Sequence, residues 1–251
     1  MRYNPKKHHL PPFKMDGILL VNKPADWTSF DVVNFLRNRF NIPKIGHCGT
    51  LDPAATGLLV IVMGKFTTLS QKFSGEDKTY VAEVLLGQTT TTEDMEGEIT
   101  STCDTSHLTE EEIKNAINSF LGKSQQIPPM VSAIKKDGKK LYELARQGIE
   151  IEREPRDIEI SNIDIHAINN PEFKFTVKCS KGTYIRTLAA DIGAKLNVGG
   201  TLKSLHRTQS GIFTIDDAIT IDELKEFEQP DLLIKMRTFL TKILDNKLIQ
   251  F

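Results

Sequence analysis

The segment from Lys44 to Met63, KIGHCGTLDPAATGLLVIVM, constrains the fold more than any other stretch of the chain. Glycines and a proline bracket a polar run that contains His47, Cys48 and Asp52. Such residues mark loops, because they permit or fix backbone angles that other residues resist. The apolar run Leu58 to Met63 is short and partly β-branched, which favours a buried strand over a helix. The segment therefore predicts a braced polar loop that leads into a buried strand.

Asp52 is the one carboxylate on this predicted loop. A carboxylate on a glycine-braced loop beside a rigid strand is typical of catalytic groups. Asp-Pro is also an ordinary turn opener. The residues of the loop alone therefore leave two interpretations of Asp52 open, a chemical role and a turn.

The overall composition, with 39% apolar and 26% charged residues, is that of a globular protein. No apolar run approaches the roughly 18 residues that span a bilayer, and the N-terminal segment lacks the apolar region of a secretory signal. Three widely spaced cysteines without a CxxC pair favour reduced thiols and exclude a disulfide frame or a cysteine zinc site. We expect a cytoplasmic protein with no membrane contact.

The net charge of -1 does not by itself indicate a nucleic-acid partner, but the charges are segregated. Bases cluster in residues 1–15 and 133–147, whereas residues 89–112 hold eight acids and no base. Segregation of this kind can leave one basic face that follows phosphates. Solvated loops and helix faces are the alternative interpretation of any single cluster.

The hydrophobic pattern predicts an α+β fold, with helices flanking a mixed, largely antiparallel sheet. Capping boxes at Thr28 and Thr109 predict helices over 29–40 and from 110 to about 121. The threonine-rich acidic stretch 88–107 is predicted to be a loop. Basic residues around the Asp137-Gly138 turn predict a protruding strand–turn–helix. Further strands are predicted at 80–86, 158–165, 173–179 and 202–205, and further helices from Ile185, Ile221 and Asp231.

Six segments, taken in order, resemble the bacterial TruB-type tRNA pseudouridine-55 synthases. GHCGTLDPAATGLL is similar to the motif that holds the family's catalytic aspartate. The other five are DGILLVNKPADWTS, KTYVAEVLLGQTTTTEDMEG, IPPMVSAIKKDGKKLYELARQGIEIERE, KCSKGTYIRTLAADIG and LHRTQSGIF. Together they cover about residues 16–220, which is most of the chain.

The resemblance implies a pseudouridine-synthase-like fold and an isomerase that converts uridine 55 in the tRNA T loop to pseudouridine. The uracil is detached from C1′ of the ribose, rotated and rejoined through C5, with neither a metal nor an organic cofactor. Asp52 is then the catalytic carboxylate. Attack on the sugar, attack on the base and removal of the 2′ proton all remain open as its role.

The resemblance also assigns the other site residues. Arg186 is expected to keep Asp52 ionised, since a neighbouring opposite charge lowers the pKa of a carboxyl. Tyr80 is expected to stack on the everted uracil, and His47 to enter the space that the flipped base leaves. The remaining predicted substrate-binding residues are Lys23, Pro24, Tyr184 and Leu205.

Structural roles compete with these assignments. Tyr80 and Leu205 on strands are ordinarily core residues, Arg186 at a helix start can pair with a surface acid, and His47 can be a satisfied loop histidine. Cys48 stands where the family usually has threonine. We do not expect it to act as a nucleophile, but the loop is expected to be looser there.

The resemblance divides the chain into a flexible basic segment (1–15), a catalytic domain (16–220) with an RNA-binding thumb at about 123–152, and a helical tail (221–251) in place of a full PUA-like domain. The expected partner is the T stem-loop of tRNA, and the expected state is a monomer.

Four alternatives compete with this interpretation. A non-catalytic RNA-binding protein has no need of Asp52 or Arg186. A phosphotransferase would need a Mg²⁺ site and a phosphate cradle. A glycoside hydrolase would need a second carboxylate. A synthase for another RNA, or one that works with partner proteins, remains open.

Overall fold

The computed structural model describes residues 15–132, 135–136, 139–145, 147–149 and 151–245. The predicted flexible segment 1–15 lies outside this range except for Met15. The chain forms two compact units. The first unit takes the described residues of 1–78 and 206–251, and the second unit takes those of 79–205. Each unit is described by itself.

The described residues form fourteen strands and seven α-helices, with 3-10 helices at Gly64–Leu69 and Ile215–Asp217. The helices are α1 (Ser29–Phe40), α2 (Ser70–Ser74), α3 (Glu110–Asn118), α4 (Leu141–Ala145), α5 (Ile185–Lys195), α6 (Ile221–Glu226) and α7 (Gln229–Asp245). The strands are β1 (Gly17–Lys23), β2 (Ile45–Cys48), β3 (Thr56–Met63), β4 (Lys78–Leu86), β5 (Gln88–Thr90), β6 (Ile99–Thr102), β7 (Gly122–Gln126), β8 (Lys135–Lys136), β9 (Lys139–Lys140), β10 (Arg156–Asn169), β11 (Glu172–Cys179), β12 (Gly200–Ser210), β13 (Phe213–Thr214) and β14 (Ile219–Thr220).

The sheet of the first unit is built on β3, the apolar run of the opening segment. One edge of β3 pairs antiparallel with β1, from Lys23 opposite Gly57 to Gly17 opposite Met63. The other edge is shared by two strands, since β2 pairs antiparallel with residues 60–63 and β12 pairs parallel with residues 56–57. The chain therefore leaves the sheet at the end of β2 and re-enters it as β3, whose first two residues lie beside β12.

Both faces of β1 and β3 are covered, which explains why β3 is apolar throughout instead of alternating. On one face, Leu59 and Ile61 pack with Leu36 of α1 and with Leu232 and Met236 of α7. On the other face, Leu58 and Val60 belong to a cluster that contains Phe73 and Phe213. The two phenylalanine rings meet edge to face at 5.2 Å. The strand is consequently a rigid support for the loop that precedes it.

The second unit has strands in the order β12, β4, β11, β10, β7, with β10 antiparallel to both β11 and β7. β4 alternates buried and half-buried residues along its length. The mixed, largely antiparallel arrangement with flanking helices confirms the α+β prediction; the parallel pairs are β1 with β14 and β3 with β12.

Two local predictions were wrong. The stretch 88–107 is not only a loop, because β5 and β6 form a hairpin in which the hydroxyl of Thr89 lies 2.7 Å from those of Thr100 and Ser101. Threonine is a good strand residue, so this composition suits a hairpin. α3 ends at Asn118 and not near Leu121, because the chain turns into β7 at Gly122.

The predicted strand–turn–helix appears as the β8–β9 pair followed by α4. The Asp137-Gly138 turn itself lies outside the described residues. Across the described ranges, we find no helix long and apolar enough to span a membrane.

Candidate active site

Asp52 lies on the segment 49–55 between β2 and β3, which we call the Asp52 loop. Gly49 at its start has φ +89° and Gly57 just beyond its end has φ +101°, so both positions favour glycine. Donors from elsewhere in the first unit hold the backbone carbonyls of the loop. Ser29 Oγ donates to Leu51 O at 3.1 Å and also accepts from Leu51 N at 2.8 Å. Within the loop, Ala55 N donates to Asp52 O at 3.1 Å.

Lys23 and the backbone of Asp26 complete the support of the loop at Pro53. Lys23 is fully buried, and its Nζ donates to the carbonyls of Pro24, Trp27 and Pro53 at 2.9, 2.6 and 3.1 Å. Asp26 N donates to Pro53 O at 3.0 Å. The backbone on both sides of Asp52 is therefore fixed, while the Asp52 side chain is only half-buried. Lys23 and Pro24, which were predicted to bind substrate, lie with Asp52 in this part of the first unit.

His47 is on β2, two residues before the loop, and is half-buried. Burial and the nearby Arg207 guanidinium lower the pKa of its imidazole below the ordinary value, although a hydrogen bond to Gly49 opposes this. Nδ1 of the ring is buried and has no hydrogen-bond partner among the described residues. A neutral ring suits stacking or hydrogen bonding better than it suits proton transfer at neutral pH.

Cys48, next to His47, is fully buried. Burial raises the pKa of its thiol to about 11, although Lys78 and Arg207 lower it in part. The thiolate is the nucleophilic form of cysteine. At neutral pH this thiol stays protonated, in agreement with our expectation that Cys48 is not a nucleophile.

Arg207 on β12 is a residue that the sequence analysis did not single out. It is 1% exposed, and its guanidinium donates from Nε to Leu58 O at 2.7 Å and from Nη2 to Gly49 O at 3.1 Å. Arg207 lies two residues beyond the predicted strand 202–205, because β12 extends to Ser210. The acceptors lie about 150 positions earlier, so no local pattern identifies them.

Arg186 of the second unit lies in the first turn of α5, at a helix start as predicted, and is 4% exposed. Its Nη1 donates to Thr92 O at 3.0 Å and its Nη2 to Val131 O at 2.8 Å. Its Nε lies 3.6 Å from Oδ2 of the buried Asp94. The structural interpretation of Arg186 expected it to pair with an acid at the surface. Its partner Asp94 is instead buried.

Two further carboxylates belong to this region: Glu93, which feels the charge of Arg186, and Asp191, which feels the charge of Glu93. Burial raises the pKa of Glu93, against the effect of the Thr187 hydroxyl, which donates to its Oε2 at 2.6 Å. Burial, and then the charge of Glu93, raise the pKa of Asp191 to about 6. The sequence analysis assigned these acids to a solvated loop and to a helix. The structure brings Glu93 and Asp94 to α5.

The other predicted residues of the second unit are Tyr80, Tyr184 and Leu205. Tyr80 is on the buried side of β4 and is 8% exposed. Tyr184 is the residue before α5, and its N–H and C=O both bond the side-chain amide of Gln126, at 2.8 and 3.0 Å. Leu205 on β12 is half-buried. Among the described residues, no three potential ligand side chains are grouped to hold a metal ion.

Comparisons with known proteins agree over almost the whole chain. The N-terminal domain model of the TruB family pseudouridylate synthases matches residues 37–185, and the model of the tRNA pseudouridylate synthase B C-terminal domain matches residues 186–241. A tRNA pseudouridine synthase B from Opitutus terrae is 45% identical over 222 residues, which are 88% of this chain and 92% of the relative. Another, from Alkaliphilus oremlandii, is 50% identical over 88% of this chain and 74% of the relative.

Among solved structures, the chain is similar to one in a crystal structure of a Cbf5-Nop10-Gar1 complex. The TM-score is 0.65 and the identity 30%, over 83% of this chain. The match spans about half, 53%, of that protein's length.

Proposed function

The chain belongs to the TruB family of pseudouridylate synthases, and from that premise we propose that it isomerises uridine 55 in the T loop of tRNA to pseudouridine, with Asp52 as the catalytic carboxylate. The observation that best supports this proposal is the fixed backbone of the Asp52 loop. Neighbouring groups hold its carbonyls at residues 49, 51, 52 and 53. Catalysis gains most from groups whose position is set before the substrate arrives.

The reaction breaks the bond between N1 of uracil and C1′ of the ribose and forms a bond from C5 to C1′. The proton on C5 is then lost and N1 gains one, so the change is redox-neutral. Asp52 is proposed to act as an ionised carboxylate, which all three candidate roles require: attack on C1′, attack on C6 and removal of the 2′ proton.

Tyr80 and Arg186 are proposed to act on the same uridine. Tyr80 presents an aromatic ring, and stacking on a base contributes roughly 1–3 kcal/mol. Arg186 cannot lose its charge and has a fixed donor geometry, so it is suited to keeping a reacting carboxylate ionised. Its ordered bonds to Thr92 O and Val131 O orient the guanidinium.

A uridine inside the folded T loop must be flipped out before it can react, at a cost of a few kcal/mol. We propose that the neutral His47 ring occupies the space it leaves. Lys23 and Pro24 support the Asp52 loop from below. Tyr184 and Leu205 are proposed to contact the everted base.

Recognition is proposed to depend on the shape of the T stem-loop, which is how proteins usually distinguish RNAs. Basic residues in the thumb, about 123–152, are the proposed contacts to its phosphates. Residues 221–251 are proposed to serve as a helical tail. We further propose that the enzyme works in the cytoplasm as a monomer.

The test is pseudouridine formation on an unmodified tRNA transcript and on its isolated T-arm hairpin, without added metal, read as carbodiimide-dependent primer-extension stops. We expect a stop at uridine 55 in both RNAs. Asp52→Asn is expected to keep tRNA affinity within about twofold and to lose activity by roughly 10⁴-fold or more, as the removal of a nucleophile does elsewhere. Asp222→Asn, an exposed acid on α6, is the matched control and should react at the wild-type rate.

The result separates the proposal from its main alternative. Binding of both RNAs without any stop would indicate a non-catalytic RNA-binding protein. Turnover by Asp52→Asn near the wild-type rate would remove Asp52 from the mechanism and leave the family assignment in place.

A further inference from the structure

Arg207 has the largest side chain among the fully buried residues of the described chain. Its position on β12 is set by a close approach of two backbones. Arg207 lies opposite Gly57 of β3, and a Cβ on Gly57 would lie 2.3 Å from Arg207 O. Any larger residue at 57 would force the two strands apart. The guanidinium is therefore delivered to one defined place beside the start of β3.

The two acceptors of this guanidinium lie on either side of Asp52. Gly49 directly follows β2, and Leu58 is the third residue of β3. Nη2 donates to the first and Nε to the second. Nη1 also lies near Gly49, 3.5 Å from where a Cβ would be. One rigid, planar group thus bonds the first residue of the Asp52 loop and the strand that follows the loop. Lysine lacks this planar fork of donors, since its N–H groups all radiate from one atom.

The charge of Arg207 is not balanced by a close acid. Within the described ranges, no carboxylate lies at ion-pairing distance from its guanidinium. Burying a cation against neutral acceptors alone costs free energy of folding, so a functional benefit is expected to offset that cost. The positive charge acts on β2, the strand that leads into the Asp52 loop, because it lowers the pKa of both His47 and Cys48.

We infer that Arg207 is a positioning residue, which ties the start of the Asp52 loop to the strand that follows it and places a permanent positive charge near the end of β2. The inference rests on the proposed role of Asp52. Arg207 acts through the loop and does not touch the uridine. The loop geometry sets the place at which the Asp52 carboxylate meets the substrate.

The experiment compares wild type, Arg207→Met, Arg207→Lys and Asp52→Asn in single-turnover reactions with enzyme in excess over tRNA transcript. Arg207→Met is expected to slow the reaction by about 10²-fold, the loss that a small misplacement of a catalytic group produces. Its Kd for tRNA should stay within about twofold. Arg207→Lys keeps the charge but loses one of the two directed bonds, so we expect a loss of about tenfold.

The titration of His47, followed by NMR of the labelled imidazole, is a second readout. Its pKa should rise in Arg207→Met and stay low in Arg207→Lys, because only the first variant removes the charge. The His47 titration therefore tests the charge of Arg207, while the reaction rates of the two variants test its directed bonds.

Arg39→Met is the matched control, since Arg39 is 8% exposed and also donates to two carbonyls, those of Lys225 and Phe227. It should lower stability and leave the turnover rate unchanged. The inference is overturned if folded Arg207→Met reacts at the wild-type rate, if tRNA affinity falls with the rate, or if Arg39→Met loses as much activity. If Arg207→Met does not fold, Arg207→Lys decides: an unchanged rate overturns the inference. A wild-type enzyme that forms no pseudouridine would instead refute the proposed function.

Discussion

Arg207 of the first unit and Arg186 of the second are both almost completely buried, at 1% and 4% exposure, but their guanidinium groups meet different partners. Arg207 donates to the carbonyls of Gly49 and Leu58. Arg186 donates to carbonyls as well, and it also pairs with the carboxylate of Asp94. In the second unit the arginine pairs with an acid, whereas in the first unit the hydrogen bonds of the arginine go to backbone carbonyls.

The difference shows two ways to use a buried cation. In the first unit the cation fixes the position of a loop, and its contacts do not change with pH. In the second unit the charge is balanced by Asp94. Burial raises the pKa values of the nearby Glu93 and Asp191, so that region responds to pH. Substitutions in the first region should therefore act through geometry, and those in the second through charge.

The largest effect on stability is expected where backbone geometry is tightest. Gly57→Ala places a methyl group 2.3 Å from Arg207 O at a φ of +101°. Overpacking and backbone strain together should lower the free energy of unfolding by about 3–4 kcal/mol. Gly46→Ala is the control on β2, because nothing lies within 4 Å of its added Cβ. Urea denaturation measures both, and equal losses would contradict the geometric account of the first unit.

A smaller loss is expected when a charge is removed from the second unit. Asp94→Asn leaves Arg186 buried without its acid and should lower the free energy of unfolding by about 2–3 kcal/mol. The comparison is Glu83→Gln, which breaks a pair with Lys174 that is largely exposed, and which should cost less than about 1 kcal/mol. Denaturation at pH 7 of the two variants distinguishes a buried pair from an exposed one. A neutral Asp94→Asn would show that the carbonyl contacts alone satisfy Arg186.

The smallest effect is expected from Asp191, and it depends on pH. The pKa of Asp191 is raised from 3.8 to about 6 in the folded protein, so folding favours its protonated form. Its contribution to stability is present below pH 3.8 and is lost as the pH rises to about 6. Asp191→Asn cannot ionise and should be more stable than wild type above pH 6, by roughly 1 kcal/mol after screening at this half-exposed site. The two proteins should converge near pH 4.

Asp104→Asn is expected to change stability with pH in the opposite direction to Asp191→Asn. The hydroxyl and N–H of Ser106 lower the pKa of the exposed Asp104, so its contribution is present at neutral pH and is lost on acidification. This variant should be less stable than wild type at neutral pH. Thermal unfolding between pH 4 and pH 7.5 measures both, and parallel curves for wild type and Asp191→Asn would contradict the expected titration in the second unit.

Local patterns predicted much of the fold. The capping boxes at Thr28 and Thr109 both form, with Asp31 and Glu112 as the reciprocal acids, because the interaction lies within four residues. The apolar run of β3 predicted a buried strand for the same reason. The glycine and proline pattern placed Asp52 on a loop and the apolar periodicity placed Arg186 at a helix start, and the structure confirms both positions.

Long-range partners could not be predicted in this way. Arg186 and Thr92 are separated by 94 positions, and Arg207 and Gly49 by 158. A run of acids from Glu93 onward is typical of a solvated loop, so the sequence gives no reason to bury two of them. The partners of each charged side chain depend on the tertiary fold, which brings distant segments of the chain together.

The different burial of the three thiols allows the local opening of each unit to be measured without an added label. Cys103 is exposed, whereas Cys48 in the first unit and Cys179 in the second are buried. A thiol reagent should therefore modify one cysteine of the native protein at once and the other two only when their surroundings open. Because each unit contains one protected thiol, pulsed labelling read by mass spectrometry would give the local opening free energy of each unit from the unmodified protein.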